Sequence, residues 1–143
     1  MRDLWAFATH LYAQAGIEEA CLAWQESGGD VCLLLCCAYL EQRQVALQPE
    51  RLALLQQHAA AWQSQWQAPL RSLRVQSKTW AAQTAEQNGL REQLKALELA
   101  SERLLLEQLA ALTSDWPPTT APAPWLSALG ASSALVALLR EKL

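Results

Sequence analysis

Ten consecutive apolar or aromatic residues, Val31 to Leu40 (VCLLLCCAYL), constrain the fold of this chain more than any other segment. Asp30 stands directly before the run and is a good helix N-cap, because its carboxylate can accept hydrogen bonds from backbone N–H groups of the first turn. The run is apolar on every side and not along one stripe. We therefore expect a helix that other helices enclose at the centre of a bundle.

The helices before this run are predicted from apolar spacing and from helix breakers. The first runs from Asp3 to Gln14 and stops at Gly16, since glycine accepts the left-handed backbone that ends many helices. The second runs from Ile17 to Glu26, where acidic residues suit the first turn. Together with the central helix they form a three-helix N-terminal unit with very short turns.

Two longer helices are predicted to follow. Pro49 suits the first turn of a helix, where its missing N–H costs nothing, and the apolar stripe after it keeps helical phase across Pro69. We expect one long helix, kinked or broken near Pro69. Asn88-Gly89 is predicted to form a turn before an antiparallel helix from Leu90 to Thr113. No segment shows the alternation of a strand, so the predicted fold class is all-α, a single helical bundle.

The composition changes after residue 114, where prolines and threonines replace the helix formers. We therefore predict three parts: a helical bundle domain over residues 1–114, a Pro-rich linker over residues 115–126 and a short C-terminal helix over residues 127–143. A helix this short is marginal in isolation, so we expect it to dock on the bundle or on a partner.

Charge and hydropathy argue against several classes of partner. The net charge of −3 gives no reason to expect a nucleic acid. The run from Val31 to Leu40 has about half the ~20 residues of a membrane span, so no membrane association is predicted. Asp3 and His10 interrupt the N-terminal apolar stretch, no cleavage site follows it, and the expected location is cytoplasmic.

The sequence offers no arrangement of residues that predicts catalysis, a metal or a cofactor. Three of the four cysteines lie in the apolar run, where thiols behave as small hydrophobic groups. His10 and His58 stand at no zinc-motif spacing, and neither follows a glutamate in a Glu-x-x-His motif. Enzymatic activity is therefore not the leading expectation.

One charged row carries the candidate site. At helical spacing Arg71, Arg74 and Lys78 share a flank beside an aromatic stripe that includes Trp62 and Trp66. Arginine offers a planar fork that suits carboxylates and phosphates. The row could bind an anionic ligand or partner, could pair with Glu98 and Glu102, or could simply face water. Our hypothesis is that Arg74 pairs with Glu98, while Arg71 and Lys78 stay free for an anionic partner.

The same residues form part of a wider pattern. The pattern comprises Leu4-Trp5-x-Phe7-Ala8, Tyr12, Gly16, Cys21-Leu22, Gln25, Asp30-Val31, Leu33-Leu34-Leu35, Trp62, Pro69-Leu70-Arg71-x-x-Arg74, Lys78 and Glu98-Leu99-x-x-Glu102-Arg103. It resembles a family of small uncharacterised gammaproteobacterial proteins that is described only as a domain of unknown function. The similarity covers roughly residues 4 to 112. It implies a cytoplasmic bacterial helical protein and assigns no activity.

Three functions remain open at this point. The leading hypothesis is a non-enzymatic interaction or regulatory module that binds a protein partner through aromatic and basic surface. Seven tryptophans support it, because tryptophan is enriched at interfaces. The alternative is a protein or enzyme that binds a small anionic or amphiphilic molecule in a pocket between the long helices. The third is a homodimer whose interface is the tryptophan stripe.

Overall fold

The computed structural model describes residues 3–143 and is helical along most of its length. The helices are α1 (Leu4–Tyr12), α2 (Ile17–Glu26), α3 (Val31–Gln42), α4 (Pro49–Trp62), α5 (Ala68–Gln76), α6 (Lys78–Ala81), α7 (Ala85–Thr113), α8 (Trp125–Leu129) and α9 (Ser133–Glu141). A π-helical segment, Gln63–Gln67, joins α4 to α5. No strand forms within residues 3–143, so the all-α prediction is confirmed.

Helix α3 is the centre of the molecule. Every residue from Cys32 to Leu40 is buried, and α1, α2, α4, α7 and α8 all pack against this helix. Asp30 caps it as predicted, because its carboxylate accepts a hydrogen bond from the Leu33 backbone N–H at 3.1 Å. A helix without a polar face is thus enclosed on all sides.

The first two helices follow their predicted breakers closely. Asp3 caps α1 by accepting from the Ala6 N–H at 2.7 Å. Gly16 has a φ of 82°, the left-handed region that glycine adopts without a steric penalty, and α2 begins at the next residue. Both turns are short, and they place α1 and α2 against α3.

The long helix after Pro49 is interrupted just before Pro69. Pro69 has no N–H to donate to the carbonyl four residues back, which favours a change of hydrogen-bond register. In the π-helical segment Gln63–Gln67 the Ala68 N–H donates to the Gln63 carbonyl, five residues back. The chain then continues as α5 and α6, which run antiparallel to α7.

The predicted turn at Asn88-Gly89 is wrong. Helix α7 begins at Ala85, and both residues lie inside its first turns. Thr84 explains the earlier start, because its side chain accepts from the Gln87 N–H at 3.1 Å and bonds the Gln87 side chain at 2.8 Å. This threonine–glutamine pair is a capping arrangement that outweighs the weak helix propensity of Asn and Gly.

The C-terminal segment forms two short helices, α8 and α9, where one was expected. Trp125 is fully buried against the bundle, and its indole N–H donates to the Val45 carbonyl at 2.7 Å. The Glu41 carboxylate on α3 accepts from the Leu126 N–H at 3.1 Å and forms an ion pair with Arg140. The segment therefore packs on the bundle of its own chain. The division of the chain into bundle, linker and docked helix stays a prediction.

The central position of α3 predicts the effect of truncating its core side chains. Leu34 is fully buried, and Leu34→Ala should lower the free energy of unfolding by about 2–5 kcal/mol, because it removes apolar contacts and leaves a cavity. Leu54→Ala on α4 is the matched control, since Leu54 is 44% exposed and should lose about 1 kcal/mol at most. Urea denaturation measures both losses. Equal losses would show that α3 is not the core helix.

Candidate functional site

A cavity of about 430 Å³ lies between α1, α2, the start of α3, the π-helical segment, α5 and α7. Its apolar wall comes mainly from α1 and α3, through residues such as Trp5, Ala8 and Leu35. Most of its polar wall comes from the π-helical segment and α5 on one side and from α7 on the other. Because side chains three or four positions apart share a helix face, each of these helices presents several polar groups to the same space. Those polar groups include Gln67, Arg71 and Arg74 on one side and Glu98 and Glu102 on the other.

An ion pair joins the two polar helices. The Arg74 Nε donates to a carboxylate oxygen of Glu98, and the side chains are 30% and 10% exposed, respectively. This pairing confirms the part of the hypothesis that joined Arg74 to Glu98; an anionic partner for Arg71 and Lys78 stays a prediction. Both side chains line the cavity, so the pair joins α5 to α7 at its wall.

Gln67, at the end of the π-helical segment, connects the same two helices one turn further along. It is 1% exposed, and its Nε2 donates to the Glu98 backbone carbonyl at 3.4 Å and to the Glu102 carboxylate at 3.2 Å. Both neighbours are acceptors, so the amide nitrogen must face them. Its Oε1 is buried and accepts no hydrogen bond from any described residue. The amide therefore retains one unused acceptor beside the cavity.

Two carboxyl groups near the cavity are held in an unfavourable environment for their charge. Burial raises the pKa of Glu102 above its ordinary value, and the neighbouring Glu98 carboxylate raises it further. Burial also raises the pKa of Asp30, although the Leu33 N–H and the Gln63 side chain stabilise its charged form. Arg71 acts in the opposite direction on both pKa values, and for each group burial is the largest effect.

Two guanidinium groups lie on the cavity wall, and that of Arg71 has no close polar partner among the described residues. It is half-buried, and it forms no hydrogen bond and no ion pair with any residue in the described part of the chain, whereas Arg74 is paired with Glu98. A half-buried guanidinium normally has acceptors for its five N–H groups. Arg71 therefore has donors available on the wall of the cavity.

The remaining predicted site residues lie outside the cavity wall. Trp62 is half-buried and donates its indole N–H to the Ser101 hydroxyl at 3.1 Å, while Trp66 is 51% exposed. Trp66 lies on the π-helical segment and does not line the cavity, whereas Arg71 on α5 does. Lys78 is exposed and lies four residues beyond Arg74, about 6 Å further along the helix axis.

Sequence reasoning missed several residues that the fold brings to this site. Tyr12 on α1 lines the cavity, and burial raises its pKa to about 12. No local sequence pattern predicts that Tyr12 lies at the site, because the residues around it there come from distant parts of the chain. Gln67 has a signal that could have been used, since it lies four residues before Arg71 on the same helical side. Glu102 was considered only as an ion-pair partner.

The fold and the cavity define a small all-α protein whose α5–α7 pair presents opposite charges to a space of ligand size. A family model described as "Protein of unknown function (DUF2390)" matches residues 3–109, and the chain belongs to this family. The matched segment contains every residue named above as lining the cavity. No curated protein and no solved structure matches the chain.

Within residues 3–143, no group of three or more His, Cys, Asp and Glu side chains is placed to hold a metal ion. The helices of this range include none that is both long and apolar enough to cross a bilayer. The four cysteines are free and buried, and burial raises the pKa of Cys21 to about 11 and that of Cys37 to about 12.

The Arg74–Glu98 pair predicts an asymmetric response to mutation. Arg74→Ala leaves the Glu98 carboxylate buried without its partner and should cost about 2–4 kcal/mol, between the values for exposed and buried pairs. Adding Glu98→Gln should restore part of the loss, because the orphaned charge is removed. Lys78→Ala is the matched control and should leave stability unchanged. Thermal melts of the four proteins test this, and a double variant less stable than Arg74→Ala would contradict it.

Glu102 predicts a pH-dependent stability difference. Its folded-state pKa is raised, so the folded chain binds its proton more tightly than the unfolded chain does, and ionised Glu102 destabilises the fold above that pKa. Glu102→Gln should therefore raise the melting temperature at neutral pH. The gain should disappear as the pH falls below the ordinary carboxyl range, where wild-type Glu102 is protonated in both states. A gain that is independent of pH would contradict this assignment.

Proposed function

We propose that this protein binds a small amphiphilic molecule whose polar head carries both a positive and a negative group, as in a free amino acid with an apolar side chain. The observation that carries the proposal is the presence of Arg71, without a hydrogen-bond partner, and Glu102 on the wall of one cavity. The guanidinium would hold the carboxylate of the ligand, and Glu102 would hold its ammonium group.

The charge balance of the cavity favours this class over a purely anionic ligand. Three carboxylates, Glu18, Glu98 and Glu102, line the cavity together with two guanidinium groups, Arg71 and Arg74. An anion alone would add to this excess of negative charge, whereas a zwitterion leaves it unchanged. An ammonium group would also stabilise the ionised form of Glu102, whose pKa is raised by burial and by the Glu98 carboxylate.

The cost of the polar wall supports a role in binding. A charged Glu102 in a mostly buried position lowers the stability of the fold, and an uncharged amide of the same shape would avoid this penalty. Proteins commonly retain such destabilising groups where they bind or react with something. The Arg74–Glu98 pair already joins α5 to α7, so a charge on Glu102 is not needed to hold these helices together.

The size and apolar lining set the kind of side chain that fits. A volume of about 430 Å³ is at the lower end of the ~300–1,000 Å³ range of ligand pockets. Trp5, Leu35 and Leu106 offer apolar and aromatic surface for the body of the ligand. The free buried cysteines fit a reducing compartment, so cytoplasmic metabolites are the ligands to examine first.

Calorimetric titration with four probes tests the proposal. L-phenylalanine carries both charged groups, 3-phenylpropionate lacks the amine, 2-phenylethylamine lacks the carboxylate, and L-serine lacks the apolar body. L-phenylalanine should bind at least about tenfold more tightly than the other three, because each charge-assisted contact contributes about 1.5–3 kcal/mol. Similar affinity for all four, or no binding of any, would overturn the proposal.

Two variants assign the contacts in the same experiment. Arg71→Gln and Glu102→Gln should each weaken L-phenylalanine binding by at least about tenfold. Lys95→Gln is the control, since Lys95 is exposed and pairs with Glu92 away from the cavity wall. Binding should also weaken as the pH falls through the pKa of Glu102. The charged and titratable groups that face Glu102 are Glu98, Asp30, Arg71, Arg74, Tyr12 and Cys32. Burial raises the pKa values of Tyr12 and Cys32, so both stay uncharged while Glu102 titrates.

An interaction module is the second candidate, and a different surface supports it. Trp66 and Trp80 are 51% and 43% exposed, respectively, and several leucines near them are exposed to a similar degree. These side chains lie apart from the basic residues of the cavity wall, so the aromatic surface would act without them. A pull-down with Trp66→Ala and Trp80→Ala as negative controls would test capture of a protein partner.

A further inference from the structure

The π-helical segment Gln63–Gln67, α5 and α6 run antiparallel to α7 and form a hairpin with it. Six large apolar side chains on it are between 43% and 57% exposed. We call them the hairpin face, and they are Trp66, Leu73, Trp80, Leu90, Leu97 and Leu104. Large apolar side chains that are exposed together on one pair of helices mark an interaction site more often than scattered single residues do.

The spacing of these residues places them in two rows. Trp66, Leu73 and Trp80 are seven residues apart, and so are Leu90, Leu97 and Leu104. Seven residues are two helical turns less about 20°, so Leu90, Leu97 and Leu104 run along one side of α7. Trp66, Leu73 and Trp80 lie on the π-helical segment, α5 and α6, which follow one another along the other arm of the hairpin.

Both rows lie on the side of the hairpin that is opposite the cavity. On α5 the buried Leu70 is the reference. Arg71, on the cavity wall, is rotated about 100° from it, and Leu73 is rotated about 60° in the opposite direction. On α7 the reference is Glu98, which contacts α5. Leu99, on the cavity wall, is rotated about 100° from it, and Leu97 is rotated about 100° in the opposite direction. When two neighbouring helices are antiparallel, rotation in the same direction along each chain leads to the same side of the pair. Arg71 and Leu99 therefore share the cavity side, and Leu73 and Leu97 share the opposite side.

The hairpin face carries no charge in its centre. Of the residues three or four positions from its members on the same helices, the charged ones are Glu86 and Glu107, and each neighbours only an end of the α7 row. The intervening neighbours are uncharged, such as Pro69, Gln76 and Ala100. Depletion of charge is the compositional signature of an interface core.

We propose that the hairpin face packs against the same face of a second copy of this chain. Two antiparallel helices with rows at seven-residue spacing are half of a four-helix bundle, and a second copy supplies the other half with the same spacing. A twofold contact brings identical surfaces together, so like charges on a charged face would repel each other. The centre of the hairpin face has no charge and avoids this repulsion. The proposal does not depend on the ligand proposed above.

Other occupants fit the surface less well. The C-terminal segment of the same chain is already packed, since Trp125 and Leu126 are fully buried against the bundle. An anionic lipid surface would select lysines and arginines along the rows, and none lies among their helical neighbours. The interaction module considered above would place a different protein on Trp66 and Trp80, whereas a second copy presents the same apolar rows to all six members of the hairpin face.

Sedimentation equilibrium of the full chain, from low to high micromolar concentration, tests the proposal. The wild-type chain should be a dimer over most of this range. Leu73→Glu and Leu97→Glu should each weaken dimerisation by at least about tenfold, because they bury a charge in an apolar contact. Leu54→Glu is the matched control, with Leu54 44% exposed on α4 outside the hairpin face.

Circular dichroism should show that each variant is folded, because the substituted side chains are exposed. A wild-type chain that stays monomeric at high concentration would overturn the proposal. So would a dimer that all three substitutions affect equally, because its interface would lie elsewhere. Leu97→Glu should still bind the ligand of the cavity, which lies on the other side of the hairpin, so the two proposals fail separately.

Discussion

The need to enclose α3 determines how the rest of the molecule is arranged. A helix of nine consecutive buried residues has no side to present to water, so α1, α2, α4, α7 and α8 must all pack against it. Trp125 on α8 is part of this enclosure and is fully buried, although a Pro-rich stretch precedes it in the chain. It also places Asp30, the N-cap of α3, close to the charged groups of the cavity, where burial raises its pKa.

The polar wall of the cavity lies next to an irregularity of the backbone at the start of α5. Pro69 cannot donate a backbone hydrogen bond, and the preceding π-helical segment ends at Gln67, whose amide joins Glu98 and Glu102 on α7. Segments of π-helix often occur at functional sites, because the extra residue redirects the side chains that follow. Here those side chains include Arg71, which lines the cavity without a hydrogen-bond partner. A single proline thus connects the backbone geometry to the polar wall.

The sequence predicted what depends on helical spacing within one helix and missed what depends on contacts between distant helices. The burial of α3, the Asp30 cap and the Arg74–Glu98 pair were all accessible from spacing and capping chemistry. Asn88-Gly89 misled the prediction because the Thr84 cap outweighs two weak helix formers. The cavity itself was not predictable in detail, since Tyr12 reaches it from α1, a helix that sequence spacing cannot relate to α7.

The α5–α7 hairpin separates its side chains by chemistry. Arg71, Arg74, Glu98 and Glu102 lie on the cavity side, and the hairpin face on the opposite side is apolar and uncharged at its centre. Few hairpin residues other than Leu70 and Ala81 are buried towards its tip, so the monomer has little apolar burial to hold the two helices there. A second copy on the hairpin face would bury apolar surface along both helices and restrict their relative motion. The same contact would therefore fix the spacing of the charged groups on the other side.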